Sequence, residues 1–154
     1  MTSDYPLDRT DRRLLRALQR DASLSLADLA EQVSLSRSAC GRRLQRLEAA
    51  GVISARVTLL NPARIGLPLT VFISVRTNQH NRDWADRFGA VVRDVPGVME
   101  VYRMGGDVDY LIKAVVADMR DYDRLYQELI AADLSDVSAG FVMEPIRSTT
   151  ELPL

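Results

Sequence analysis

SLADLAEQVSLSRSACGRRLQRLEAAG, residues Ser25 to Gly51, is the stretch that decides the fold. Ser25 reads as a helix N-cap with Asp28 at the capping-box position, Asp standing in for the usual Glu. Leu26, Leu29, Ala30 and Val33 then share one face. A tight turn through Ser34 and Leu35 leads to Ser36, a second cap, and the helix it opens runs to about Ala50, where Gly51 stops it. Upstream, Asp8 caps a further helix with Asp11 three residues on and Leu14, Leu15 and Leu18 inward. Three short helices, the last two joined by a turn of a few residues, spell a helix-turn-helix.

Advancing the Ser36 helix by 100° per residue puts Cys40, Leu44, Leu47 and Ala50 on one apolar arc. Ser38, Gly41, Arg42, Gln45, Arg46 and Ala49 fall opposite, with Arg37 and Arg43 on the flanks. Small residues let such a helix approach the major groove, where Arg and Gln reach base edges and phosphates. Ser36 and Ser38 add hydroxyls and backbone amides suited to phosphate. The expected DNA-binding residues are therefore Ser36, Arg37, Ser38, Arg42, Arg43, Gln45 and Arg46. Gly41 lowers helix propensity by about 1 kcal/mol relative to Ala; its outward position reads either as a close approach to DNA or as a tolerated drift.

Charge divides along the chain in the same sense. The net formal charge of −1 resolves into +3 for residues 1–60 and −4 for residues 61–154. The 154 residues, 47% hydrophobic and 27% charged, are those of a globular protein of one domain or two small ones. The longest apolar run, Leu69 to Val75, falls far short of the roughly 18 residues a membrane helix needs. Met1 to Leu7 is short and acidic rather than a basic and apolar leader, so a cytoplasmic location is expected. One Cys (Cys40) and one His (His80) exclude an internal disulfide and a Cys/His metal cage, and give histidine catalysis little to work with. No cofactor and no metal are expected.

After an extended connection over Val52 to Leu60 the rhythm changes. Leu69 to Val75 reads as a strand, and Asn81 caps a helix with Trp84, Phe88, Val91 and Val92 on one face. Val98 to Met104 and Tyr110 to Ala117 read as strands separated by Gly105-Gly106-Asp107. Asp118 caps another helix, with Met119, Tyr122, Tyr126, Leu129 and Ile130 toward a core, and a last strand covers about Gly140 to Ile146. Strand, helix, strand, strand, helix, strand is a split βαβ, ferredoxin-like order. The whole chain is thus α+β: a helix-turn-helix domain at 1–53, a connecting strand or linker at 54–66, and a βαββαβ ferredoxin-like domain with a tail at 67–154.

Several segments together resemble the Lrp/AsnC (feast/famine) transcriptional regulators. The opening Leu7-Asp8-Arg9-Thr10-Asp11-Arg12-Arg13-Leu14-Leu15 is similar to theirs, as is the signature Leu35-Ser36-Arg37-Ser38-Ala39-Cys40 with Arg42 to Glu48 and Gly51-Val52-Ile53. Gly106-Asp107-Val108-Asp109-Tyr110-Leu111-Ile112-Lys113 resembles the family's glycine–aspartate loop, and Met143 to Arg147 with Thr150 to Leu154 resembles its ending. The resemblance implies a sequence-specific regulator bound to a double-stranded DNA operator. It further implies a C-terminal domain that assembles homodimers into larger rings such as octamers, and that binds a small effector, usually an amino acid.

Carried onto this chain, the effector residues implied are Gly106, Asp107 and Asp109, with Asp123 and Gln127 on the following helix. Gly106 exposes backbone amides to a ligand carboxylate, and Asp107, Asp109 or Asp123 suits its ammonium group. The alternative is that Gly105-Gly106 turns a hairpin and the aspartates are solvated turn residues or a helix cap. Val108 stands where the family usually has an aromatic, Gly105 where Thr or Ser is common, and Val137 and Ala139 where threonines are frequent. Such a site is less polar and differently shaped, which fits either a more apolar effector or sensing that is weak or absent. A competing function is a sirohaem decarboxylase-like enzyme of the same two-domain architecture. That chemistry wants His, Arg or Tyr around an acidic tetrapyrrole, whereas this chain has a single histidine, His80, and an acidic C-terminal half.

Overall fold

The computed structural model describes residues 5–79 and 81–154. Its elements in chain order are α1 (Arg9–Arg20), α2 (Leu26–Gln32), α3 (Arg37–Ala49), a 3₁₀ turn (Pro62–Ile65), β1 (Leu69–Arg76), α4 (Arg82–Asp94), β2 (Val98–Arg103), β3 (Tyr110–Val116), α5 (Met119–Ile130) and β4 (Asp136–Phe141). The chain forms two compact units, Met1–Thr58 with Arg147–Leu154, and Leu59–Ile146.

In the first unit the caps act where the sequence puts them. Asp8 accepts from the Asp11 N–H at 2.7 Å, and Asp11 accepts from the Asp8 N–H at 3.3 Å, a complete capping box. Ser25 accepts from the Asp28 N–H, but Asp28 answers by taking the Ser25 hydroxyl at 2.6 Å instead of its backbone N–H. Gly51, at φ +70°, ends α3 just past its Ala50 cap. The three helices bury Leu14, Leu29, Cys40 and Leu47 in one core, each leucine contributing about 1.5–3 kcal/mol.

Gly41 corrects an expectation. A Cβ built there meets Leu26 Cδ2 at 3.5 Å, so the residue packs beside α2 rather than on the outward face. A helical wheel gives a direction but not the tilt of the neighbouring helix, and α2 crosses at this point.

The second unit is a four-stranded antiparallel sheet in the order β2-β3-β1-β4. Val71, Ile73 and Val75 of β1 and Ile112, Ala114 and Val116 of β3 form a buried face with Trp84, Phe88, Leu125 and Leu129 of α4 and α5. Trp84 stacks on Phe88 at 5.1 Å and donates its indole N–H to the Asp133 carbonyl at 3.2 Å. The alternate residues of β1 and β3 (Thr70, Phe72, Ser74; Leu111, Lys113, Val115) are exposed or half-buried, so the helices cover one face only. Gly97, at φ +94°, sits where a Cβ would lie 2.7 Å from the Val115 carbonyl, and β2 is bulged just beyond it.

The last strand also differs from expectation, spanning Asp136–Phe141 rather than about 140–146. Val137, Ala139 and Phe141 alternate toward the core, and pairing with β1 runs from Arg76↔Asp136 to Val71↔Phe141. Val142 makes one more bond to Thr70, after which Pro145 has no N–H to offer. Residues 147–154, expected to belong with the second domain, pack in the first unit. The 54–66 connection holds the 3₁₀ turn, which Asn61 caps through the Ala63 N–H, and its Val57, Leu59 and Leu60 are exposed.

Candidate nucleic-acid interface and effector loop

Cys40, Leu44 and Leu47 anchor α3 in the core, which turns the opposite side of the helix to solvent. Ala39, Arg42, Arg43, Gln45, Arg46 and Ala49 line an open hollow of about 560 Å³ on that side. Arg37, Ser38, Arg42, Gln45 and Arg46 are exposed. The Ser36 hydroxyl oxygen accepts from the Ala39 N–H at 3.2 Å and lies 3.3 Å from the Ser38 hydroxyl at the helix start. Two alanines flank the two arginines and the glutamine, so long donors project from a helix surface low enough to enter a groove.

Arg43 is placed differently from the other arginines. Its Nη1 donates to Asp8 Oδ2 at 2.6 Å and Asp11 Oδ1 at 2.7 Å, and the Asp11 side chain is only 3% exposed. The Asp11 N–H and then the Arg43 guanidinium hold the Asp8 carboxyl below its ordinary range. Arg43, expected on the DNA-binding list, thus rivets α3 to the capping box of α1. Sequence spacing put it on the flank of α3, from which a long side chain can turn either way.

At one end of the sheet, the loop carrying Gly106, Asp107 and Asp109 is stitched to the Arg76–Gln79 segment, which is in turn joined to Asp133–Asp136. Gly106 has φ +124° and open space where a Cβ would stand, so its backbone is accessible. The Asp107 carbonyl accepts from Arg76 Nε at 2.8 Å, and Arg76 Nη1 pairs with Asp136 at 3.2 Å. Asp109 is built into the frame: its N–H donates to the Val75 carbonyl, its carbonyl accepts from the Met104 N–H, and its Oδ2 accepts from the Thr77 N–H at 2.8 Å. Gln79 donates to Asp133 at 2.7 Å, and Ser135 meets Asn78 at 3.0 Å. Asp123 and Gln127 are exposed on α5, and among the described residues no hydrogen bond joins them to residues 105–109. Motif and periodicity single out neither Arg76, Thr77 nor Asp136. The polar break Arg76-Thr77-Asn78 directly after an apolar strand is the signal that points to them.

Among the described residues no group of three or more His, Cys, Asp or Glu is arranged to hold a metal, and no helix is long and apolar enough to cross a membrane.

A helix-turn-helix with a basic, shallow outward face, on the same chain as a ferredoxin-like sheet, defines the class of two-domain DNA-binding regulators. Comparison with known proteins names the family. Residues 7–54 match a winged helix-turn-helix DNA-binding model, and residues 70–152 match the Lrp/AsnC ligand-binding domain. The chain belongs to the Lrp/AsnC family of transcriptional regulators. It is 49% identical over 149 residues to a glutamate uptake regulatory protein of Zymomonas mobilis, covering 96% of this chain and 91% of that one. An AsnC family transcriptional regulator from Agrobacterium tumefaciens superposes with a TM-score of 0.91 at 50% identity, over 96% of this chain and 97% of the other. A transcriptional regulator of Neisseria meningitidis, solved in complex with L-methionine, superposes with a TM-score of 0.90 at 35% identity, with the same coverage.

Proposed function

We propose that this regulator reads its operator with the outward face of α3 and that a free amino acid at the 105–109 loop modulates the binding. The observation that carries the first half is the α3 hollow, where Arg42, Gln45 and Arg46 stand between Ala39 and Ala49. Arg37 and the Ser36–Ser38 helix start serve the phosphates beside them, and Arg43 holds the helix in place. The DNA-binding unit is Met1–Thr58 with Arg147–Leu154, and the ligand-binding unit is Leu59–Ile146.

For the effector, Gly106 supplies accessible backbone amides and Asp107 a carboxylate for an ammonium group. Asp109 acts as the brace of the loop rather than as a direct ligand, because its carboxylate is turned onto the Thr77 amide. Asp123 and Gln127 form the more distant edge. An amino acid is supported by the L-methionine complex of the Neisseria relative and by the glutamate-uptake role in the name of the Zymomonas relative. Val108 in place of an aromatic favours an apolar one.

Homodimers form through the helix-free face of the sheet, where Phe72, Leu111 and Val115 lie, and these associate into larger rings such as octamers. The protein works in the cytoplasm, where its DNA is. The relatives named above are regulators, which favours this reading over a decarboxylase-like enzyme; His80, named for that chemistry, lies outside the described residues.

The test is a fluorescence-anisotropy titration onto the intergenic DNA upstream of the gene itself, against a scrambled duplex, at two salt concentrations, with and without the twenty amino acids. Specific binding that weakens steeply with salt and shifts with the amino acids supports both halves. Equal affinity for scrambled DNA overturns the first half. Specific binding indifferent to the amino acids overturns the second.

A further inference from the structure

The outer face of α1 carries a set of hydrogen bonds that belongs to none of the motifs above. Arg16, Gln19 and Arg20 lie at i, i+3 and i+4, hence side by side on the helix. Gln19 pairs with the backbone of Leu152 in both directions: its Nε2 donates to the Leu152 carbonyl at 3.2 Å and its Oε1 accepts from the Leu152 N–H at 2.6 Å. Arg16 donates from Nε, at 2.6 Å, and from Nη2 to the main-chain oxygen of Leu154. Arg20 pairs with Glu151 at 3.1 Å. The Leu154 side chain reaches the core that Leu14, Leu29 and Leu47 share, and the Glu151 N–H donates to the Thr149 hydroxyl, which shapes the approach.

Two-way backbone pairing, a fork on a main-chain oxygen, one ion pair and one apolar anchor are what holds an extended peptide. We propose that Arg16, Gln19 and Arg20 form a docking site for residues 151–154, and that this segment is a working part of the DNA-binding unit. The family model ends the ligand-binding domain at residue 152, so the assignment crosses that boundary. The route to function is short. The docked segment steadies α1, the capping box of α1 presents Asp8 and Asp11 to Arg43, and Arg43 holds α3. The chain passes from one unit to the other at Thr58–Leu59 and at Ile146–Arg147, and residues 151–154, bonded to α1, belong to the first unit.

The functional arm rests on α3 being the DNA-reading helix, so the test reads docking separately from DNA binding. Two variants of the full chain are compared with the parent. Gln19→Ala removes both bonds to Leu152 while raising helix propensity, so α1 is not at risk. Leu152→Pro removes the N–H from the other partner and leaves α1 untouched; the Leu152 side chain is 69% exposed and gives up little packing.

In hydrogen exchange, the parent Leu152 amide is expected to exchange at least about tenfold more slowly than in a free peptide, and Gln19→Ala to return it to the free rate. In anisotropy, both variants are expected to weaken operator binding about three- to tenfold, the factor one hydrogen bond carries, with no change in salt slope because no cation is removed. A parent Leu152 amide at the free rate overturns the docking site. Wild-type affinity in either variant overturns its role in DNA binding. A parent chain that protects Leu152 but binds no operator supports the docking site and overturns the DNA-binding assignment instead.

Discussion

Arg43→Met removes the guanidinium that joins α3 to α1 and keeps an unbranched, helix-favouring stem in its place. The perturbation is then mainly electrostatic. Asp11, with a side chain 3% exposed, keeps only the long 3.3 Å bond from the Asp8 N–H and loses its cation. Breaking a fully buried pair costs about 3–5 kcal/mol. The Arg43 side chain is 24% exposed and its other partner, Asp8, is half-exposed, so water recovers part of that. The expected loss is about 2 kcal/mol of stability in the DNA-binding unit. Urea unfolding measures it, and the double variant with Asp11→Asn, which no longer strands a charge, should recover roughly half. DNA titrations across salt concentrations supply the decisive comparison. Removing a cation that neutralises a phosphate would flatten the slope of log K against log salt by about 0.9, whereas removing a rivet weakens binding at constant slope. An unchanged unfolding midpoint together with a slope flatter by about 0.9 would refute the structural role and return Arg43 to the DNA-binding set.

Three further outcomes follow from the same geometry. Arg42→Ala, on the exposed face of α3, should weaken operator binding by about 1–3 kcal/mol if the side chain reads a base, or flatten the salt slope by about 0.9 if it meets a phosphate; no change in either removes it from the interface. Gly41→Ala should stabilise the unit by about 1 kcal/mol in urea unfolding with operator affinity unchanged, because the new methyl meets Leu26 at an ordinary 3.5 Å; a loss of affinity would put Gly41 back on the DNA face. Acid should loosen the α1–α3 junction through Asp8. The folded chain keeps Asp8 ionised at lower pH than the unfolded chain does, so the stabilisation is complete above about pH 5 and is lost as the pH falls through and below the ordinary carboxylate range. Urea midpoints of the parent and Asp8→Asn should therefore converge as the pH is lowered from 7 toward 3; curves that stay parallel would contradict it.

Much of this molecule is decided within a few residues of sequence. Asp8, Ser25, Ser36, Asn81 and Asp118 cap the helices they precede because a cap needs only its own side chain and an N–H three residues on. The inward stripe Cys40–Leu44–Leu47 sets which side of α3 faces water, and with it Arg42, Gln45 and Arg46, because helical periodicity is local. The strand and helix order is legible for the same reason, though the last strand lies several residues from where the pattern puts it. There, short-range pattern alone cannot tell Val137-x-Ala139-x-Phe141, which pairs with β1, from the apolar residues that follow it.

What the tertiary structure alone decided are the partners of long side chains and of backbone at a distance. Arg43 pairs with Asp8 and Asp11, 35 and 32 residues away. Asp109 turned to the Thr77 amide, and Arg76 to the loop that Gly106 opens. Gln19 found the backbone of Leu152 across 133 residues. A helical wheel fixes the direction in which a Cβ leaves the helix. Where an arginine or glutamine ends, several bonds further out, depends on which acceptor the packed chain brings within about 3 Å, and that is set only once the units have folded.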